Sequence, residues 1–522
     1  MPRRKFIPAL LFATSISLVI STTKATADVK LPPVISNHMV LQRDMPLPIW
    51  GTAAPGEKVT VSFRGQEKSA TADPQGKWLV RLDPVKAGGP DALKIAGANT
   101  ITLEDVLVGE VWVGSGQSNM DLPVPEAAGQ DTVLAEAAAR SYPRLRLIVT
   151  GNQGWQEATP ANIARFSALL FSFGVPLQNQ LDVPVGLLEG AIGATPSRCW
   201  LSEEAYNSDA ACKAALEKYA AVKYPELMKR YQVEREEADA KAKQEGTPPP
   251  RHPIPPRQAG TIEGPWRTGL HYVHYESRIR PIIPYGIRGV LWDQGESGTG
   301  ITGMDQYTLM GALIRGWRNE WGQGDFPFIY VQKPSGPGCA WDWDDPVTRL
   351  GRKFAPLPGA VPSTDDGLYN ENHIRIMQYP HTAMATSSDL GPNNHPLNKS
   401  GYGGCAARVA LGMVYGRKVE IYGPVYQSHK IEGDKVRVSF THVGQGLAYR
   451  HGERLQGFAI AGEDKVFQWA DAVIDGDTVI VSSDKVKKPV AVRYGWAREY
   501  PWANLFNKDR LPALPFRTDA WQ

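Results

Sequence analysis

The chain is short of the features that mark several large functional classes. Only 4 cysteines occur in 522 residues, Cys199, Cys212, Cys339 and Cys405, and none forms a CxxC pair. That excludes a zinc ribbon or a thioredoxin-type redox motif, while an oxidising compartment would still permit one or two disulfides. There is no HExxH and no compact His/Asp/Cys cluster, so no metal and no other cofactor is expected. Charge is nearly balanced, with 57 basic against 54 acidic residues and a net +3, and no long run of one sign. A nucleic-acid partner, which calls for a basic stripe, is not expected. Beyond the N-terminus no apolar run is long enough to cross a bilayer.

What is present begins with a leader. "MPRRK" is basic, "FIPALLFATSISLVI" is apolar, and "ATA" ends at Ala27 in a small-residue cleavage pattern. Residues 1–27 therefore read as a secretory signal peptide, and the expected location is periplasmic or extracellular, with no membrane attachment after cleavage. Residues 28–104 alternate apolar and polar positions in short strands broken by Pro and Gly, as in "GEKVTVSF" and "GKWLVRL", and a small β-sandwich-like domain is expected there. From 105 to 412 apolar strands such as "VGEVWV", "RGVLWD" and "DFPFIYV" alternate with helical stretches. One helix is expected over Ala161–Phe173 with Gly174 as its stop, and another across "QYTLMGALIRGWRNEWG". This is an α/β pattern with a parallel sheet and a site at the carboxyl ends of its strands. Residues 203–258 interrupt it: a charged, helix-prone segment in which Pro225 kinks a helix or separates two, then a proline-rich stretch. From 413 to 522 the alternation of a second β-rich domain returns.

Three polar clusters sit where such a sheet would discharge its strands. The first is "GSGQSNM", Gly114–Met120, directly after an apolar strand. A nucleophilic serine needs a tight turn that exposes it and surrounds it with backbone N–H donors, and small residues let a substrate approach. The motif is not G-x-S-x-G, and a polar turn between strand and helix would look the same. The second is "GVLWDQGESG", with Asp293, Gln294 and Glu296 within four positions. The third is His395, in the turn-rich "SSDLGPNNHPLNKSGYGG" just before a helical stretch. A serine is inert at neutral pH without a base such as histidine.

Taken together these blocks, "GSGQSNM", "WDQGE" and "HPLNK", resemble the sialate O-acetylesterase family within the wider SGNH-hydrolase group. The resemblance extends to "NHMVLQRDMPLPIWGTAAPGEKVTV" near the N-terminus and to "WANLFNKDRLPALPFRTD" near the C-terminus. It implies a three-layer SGNH-hydrolase-like domain flanked by β-rich domains, and serine-dependent hydrolysis of O-acetyl esters on carbohydrates through an acetyl-enzyme. Ser118 would be the nucleophile, and Ser115 would shape the turn. His395 would be the base, oriented by Glu296 or, next, by Asp389. The position three residues before the histidine, where the group often carries its acid, is Pro392 here. The oxyanion hole would use the Ser118 amide, the Gly193 amide in "GAIGATPSRCW" and the Gln294 side chain. Ala194 stands where a second glycine is frequent, a mild departure if its φ is negative, and Gly298 stands where a side-chain donor is frequent. Gln117, Trp200 and Trp292 are candidate substrate contacts, and Trp341 is a further aromatic that could stack on a sugar. The partner is an acetylated sugar or oligosaccharide, with acetylated sialic acid and acetylated xylan both open. Two other classes fit the residues less fully: a non-catalytic carbohydrate-binding protein on a hydrolase scaffold, and a glycosidase pairing Glu296 with Asp389.

Overall fold

The computed structural model describes residues 28–521 apart from 152–153, 265–271 and 363–364. The expected leader, residues 1–27, lies outside the described residues. No helix among the described residues is long and apolar enough to cross a membrane.

The core is a parallel sheet of six strands: β1 (Thr100–Gly116), β2 (Tyr142–Val149), β3 (Val185–Ala191), β4 (Gly289–Asp293), β5 (Phe328–Val331) and β6 (Thr382–Ala385). Their spatial order is β6-β5-β4-β1-β3-β2, with a short antiparallel strand, Gln156–Ala158, on the β2 edge. Near-continuous apolar sequence is what a sheet covered on both faces demands, and all five residues of β4 and all four of β5 and β6 are buried. Three helices supply much of the cover: α1 (Ala168–Leu181), α2 (Gln306–Trp321) and α3 (Lys399–Met413). Strand alternation divides the side chains between two layers. Trp112, Leu291 and Ile329 join α1 and α3, whereas Val113, Val290, Trp292 and Phe328 join Leu309, Leu313 and Trp317 of α2.

The helix expected to stop at Gly174 instead begins at Ala168, and both Gly174 and Pro176 lie inside it. Gly174 is there for clearance, since a Cβ would stand 2.5 Å from Leu187 Cδ1 on β3. Where α3 crosses α1, a Cβ on Gly403 would come within 2.4 Å of the Ser172 carbonyl carbon. The α2 helix lies where its pattern places it, with Asp305 capping the Thr308 amide and Gly322 closing it at φ 65°.

β1 is shared between two sheets. Its first part pairs antiparallel with Gly88–Ala96 in the N-terminal β region, and its last part pairs with β3 and β4. The strand thus runs through residue 104, where the sequence suggests a boundary. The C-terminal region contains two four-stranded antiparallel sheets around their own apolar cluster. The 203–258 insertion forms helices at Glu203–Ser208, Ala210–Lys218 and Tyr224–Glu245; a π-helical turn, Tyr219–Lys223, joins the last two into one continuous run, so Pro225 is accommodated by a local change of pitch and does not separate two helices. All four cysteines are free thiols.

Candidate active site

The chain crosses from one side of β1 to the other between β3 and β4, and at this switch point the carboxyl ends of three strands meet. Gly116 closes β1 at φ +132°, and a Cβ there would sit 2.1 Å from the Asp293 carbonyl oxygen. Only glycine fits this turn. It ends in the short helix Ser118–Asp121, which places Ser118 half-buried at its first position. The Ser118 and Asn119 amides, in the first turn, donate to no group among the described residues.

Ser118 Oγ lies 2.7 Å from Nε2 of His395, across 277 residues of sequence. The histidine is exposed on a loop that leads into α3, and Asn398 caps that helix by accepting from the Gly401 amide at 3.0 Å. An imidazole nitrogen on a serine hydroxyl is the arrangement by which a proton can leave the nucleophile as it attacks.

Beneath the pair lies a buried polar layer. Lys333, with no side-chain exposure, sits 2.6 Å from Asp293 and 2.5 Å from Glu296. Glu296 Oε1 also accepts from Asn119 Nδ2 at 2.7 Å. Burial alone would raise the Glu296 carboxyl; the Lys333 ammonium, its hydrogen bond and the Asn119 amide outweigh it and hold Glu296 below its ordinary value. Asp293 is raised by complete burial despite the same lysine. A second lysine, Lys399, is also fully buried, and that burial lowers it to about 8 even with Asp293 nearby. Its Nζ donates to Asn119 Oδ1 at 2.7 Å.

Neither expected orienting acid reaches the histidine. Among the described residues no carboxylate forms a hydrogen bond or ion pair with His395, since Glu296 is turned to Lys333 and Asn119. Asp389 is 6% exposed under the loop, pushed up to about 7 by burial and by the nearby Asp345 carboxylate.

The expected oxyanion donors need correction as well. The Gly193 amide lies beside the nucleophile, for a Cβ there would be 3.6 Å from Ser118 Cβ, but it donates to Asp121 Oδ2 at 2.9 Å. Gln294 is buried in structural hydrogen bonds. Its Oε1 accepts from Ser197 and from Gln306 Nε2 at 3.1 Å, and its Nε2 donates to the Gly298 carbonyl at 2.9 Å and to the Thr195 carbonyl at 3.4 Å. No proton of Gln294 is left for an oxyanion. Ala194 has φ +60°, the left-handed region, not the negative φ that would make it a mild departure. Ser115 is buried and donates to the Gly190 carbonyl at 2.8 Å, the turn-shaping position expected of it.

The aromatic candidates are core. Trp200 is fully buried, its indole donating to Thr195 Oγ1 at 2.9 Å, and Trp292 stands edge-on to both Trp200 and Trp317. Trp341 packs against Phe506 under the Arg450 guanidinium. Gln117 is buried too, its Oε1 accepting from the Ser297 amide at 3.1 Å, which fixes the β4 turn to the serine turn. Sugar contacts would therefore come from elsewhere. A cavity of about 640 Å³ is lined by Ala194, Gly295, Ser297, Glu263, Asp305 and His373; it adjoins the serine turn through the Ser297–Gln117 hydrogen bond, while Ser118 and His395 themselves are not among its lining residues. Its volume is that of a small-molecule site.

Sequence reasoning left Asn119, Lys333, Lys399 and Asp121 without roles. Asn119 and Lys399 stood inside the motif blocks, and Lys333 two residues after a buried strand was a visible signal of the same kind as Glu296.

No protein-family model matches the chain. It is 28% identical to the sialate O-acetylesterase of Mus musculus over 96% of each chain, and 26% identical to that of Homo sapiens over 92% of this chain and 91% of that one. The crystal structure of a carbohydrate acetylesterase from Xanthomonas citri aligns with a TM-score of 0.71 and 30% identity, covering 95% of this chain and all of that one. The chain belongs to the sialate O-acetylesterase family. As a member of this family it is a carboxylic ester hydrolase.

Proposed function

We propose that the protein is a serine esterase that removes acetyl groups from O-acetylated carbohydrates. The observation that carries this reading is the 2.7 Å contact between Ser118 Oγ and His395 Nε2, just past the carboxyl end of β1. Ser118 Oγ attacks the acetyl carbonyl carbon while His395 takes its proton. The tetrahedral intermediate collapses, the bond to the sugar oxygen breaks, and His395 returns the proton to that oxygen. Water, deprotonated by the same imidazole, then attacks the acetyl-enzyme and releases acetate. The Ser118 and Asn119 amides are the donors supporting an oxyanion hole. The Gly193 amide joins them if the Asp121 carboxylate turns away.

The cavity favours a neutral sugar. Glu263 and Asp305 line it, His373 is held neutral by burial and by the Lys333 charge, which lower it to about 3, and no Lys or Arg is among the described lining residues. Carboxylates accept hydrogen bonds from sugar hydroxyls and repel an anionic substrate. Hence acetylated xylo-oligosaccharides are expected to be better substrates than 9-O-acetylated sialic acid.

Acetate release from both substrates, by parent and Ser118→Ala, tests the reading. Release by the parent and its loss in a folded Ser118→Ala variant are expected. Equal release by the two proteins would remove the serine from the mechanism, and preference for the sialic acid would overturn the neutral-sugar reading.

A further inference from the structure

The orienting group of His395 is not found on the imidazole itself. Residues 392–394, just before it, are Pro-Asn-Asn and carry no acid. Glu296 Oε1 is engaged by Lys333 and Asn119, its buried Oε2 has no hydrogen-bond partner among the described residues and makes none with His395, and Asp389 faces Asp345, Cys339 and Cys405. What does reach the histidine loop is Asn119. Its Nδ2 donates to the Asn394 carbonyl at 2.7 Å and to Glu296 at 2.7 Å, and its Oδ1 accepts from Lys399 Nζ at 2.7 Å. The partners fix which end of the amide is which. An ammonium only donates, so it takes the oxygen; a carboxylate and a carbonyl only accept, so they take the nitrogen.

All of the side chain's main hydrogen-bonding capacity is thus in use, and the side chain is 1% exposed. Asn119 follows the nucleophile in the chain, and Asn394 precedes the base. Lys399 opens α3 on the other side of the same loop. One amide therefore ties the Ser118 turn to both flanks of the His395 loop.

We propose that Asn119, locked by Lys399 and Glu296, is the residue that positions His395 on Ser118, and that Glu296 acts on the imidazole only through this amide. The proposal rests on the serine-esterase reading above. Asn119 and Lys399 are positioning residues, and Glu296 is the carboxylate that keeps the Asn119 amide from turning.

The test uses the full chain and a small aryl acetate, so that sugar preference plays no part. Kinetics are compared for Asn119→Ala, Glu296→Gln, their double variant, Lys399→Met and Lys399→Gln. Displacement of the histidine by about 1 Å is expected to lower kcat about 10²-fold in Asn119→Ala with KM little changed. Glu296→Gln is expected to lose less, with the acid limb of its pH–rate profile where the parent's is. The double variant should match Asn119→Ala to within about twofold, because both substitutions remove one device. Lys399→Gln, which keeps a donor, should recover part of the loss seen in Lys399→Met. A loss of about 10⁴-fold in Glu296→Gln alone, as for direct carboxylate–imidazole contact, would overturn the proposal. So would a fully multiplicative double variant. Should Asn119→Ala fail to fold, the Lys399 pair and Glu296→Gln carry the same distinction. Undiminished turnover by Ser118→Ala would instead refute the serine reading itself.

Discussion

Ala194 is the residue where local strain and chemistry lie closest. At φ +60° it adopts a conformation that costs a non-glycine residue roughly 1–2 kcal/mol. It is exposed, so removing its methyl group forfeits little packing. Ala194→Gly is therefore expected to raise stability by about 1 kcal/mol, read as a higher urea midpoint at unchanged m-value. Glu189 offers a second residue-scale outcome. Burial raises its carboxyl from 4.5 to about 8, against the hydrogen bond from the Ser167 amide and with the Asp121 carboxylate adding to the rise. Between those values the folded chain holds a proton that the unfolded chain has released, so its stability contribution falls as pH rises from about 4.5 to about 8 and is level above. Glu189→Gln should lose that slope, which thermal melts across the interval would show. At this scale the sequence was legible where a motif joined residue type to position. Ser118 and His395 stand in such motifs, and the fold brings them to 2.7 Å. Trp292 reads as a sugar contact for its aromatic face and Gln294 as a donor for its place at a strand end, but the facing of neither is written in its neighbourhood. Alternation along β4 turns Trp292 under α2, and Gln294 is drawn into bonds with Ser197 and Gln306, more than 90 and about 12 positions away.

Among elements, the strands were the most readable. Sheets covered on both faces need continuous apolar runs, and those runs are conspicuous in the chain. Gly174 reads as a helix terminator on propensity alone, yet it lies inside α1. Its position is set instead by distance to β3, which no local pattern encodes. The same logic governs the α1–α3 crossing, where Gly403 lets the two backbones approach. Gly403→Ala is expected to destabilise the protein by about 1–3 kcal/mol through overpacking against Ser172, measurable by chemical denaturation. The histidine loop would move with α3, so the same variant should also lose activity at temperatures where it remains folded.

For the whole molecule, the composition and the alternation of textures along the chain indicated β-rich regions on either side of an α/β core, and both β-rich regions are present. The long insertion was legible as an excursion because its charge and prolines cannot build a core. Its outer helix, Tyr224–Glu245, has only Ala242 buried, and Tyr219 and Arg257 at its base are joined by a 3.4 Å hydrogen bond. Replacing residues 224–254 by a short flexible linker is therefore expected to leave kcat on a small acetate ester close to the parent's, with acetate release as the measure. The relation of the N-terminal region to the core could not be read, because nothing in the letters of "TITLEDVLVGEVWVGSG" says that one strand serves two sheets. The shared strand has a consequence for assembly. As the chain leaves the ribosome, the N-terminal strands are complete before β2 to β6 exist, so they can hold the first half of β1 extended while its second half waits. The early region then serves as a jig on which the later strands are registered. Cut away, it would leave the serine turn at the end of a strand with half its anchorage, and the two regions would be inherited, exchanged and lost together.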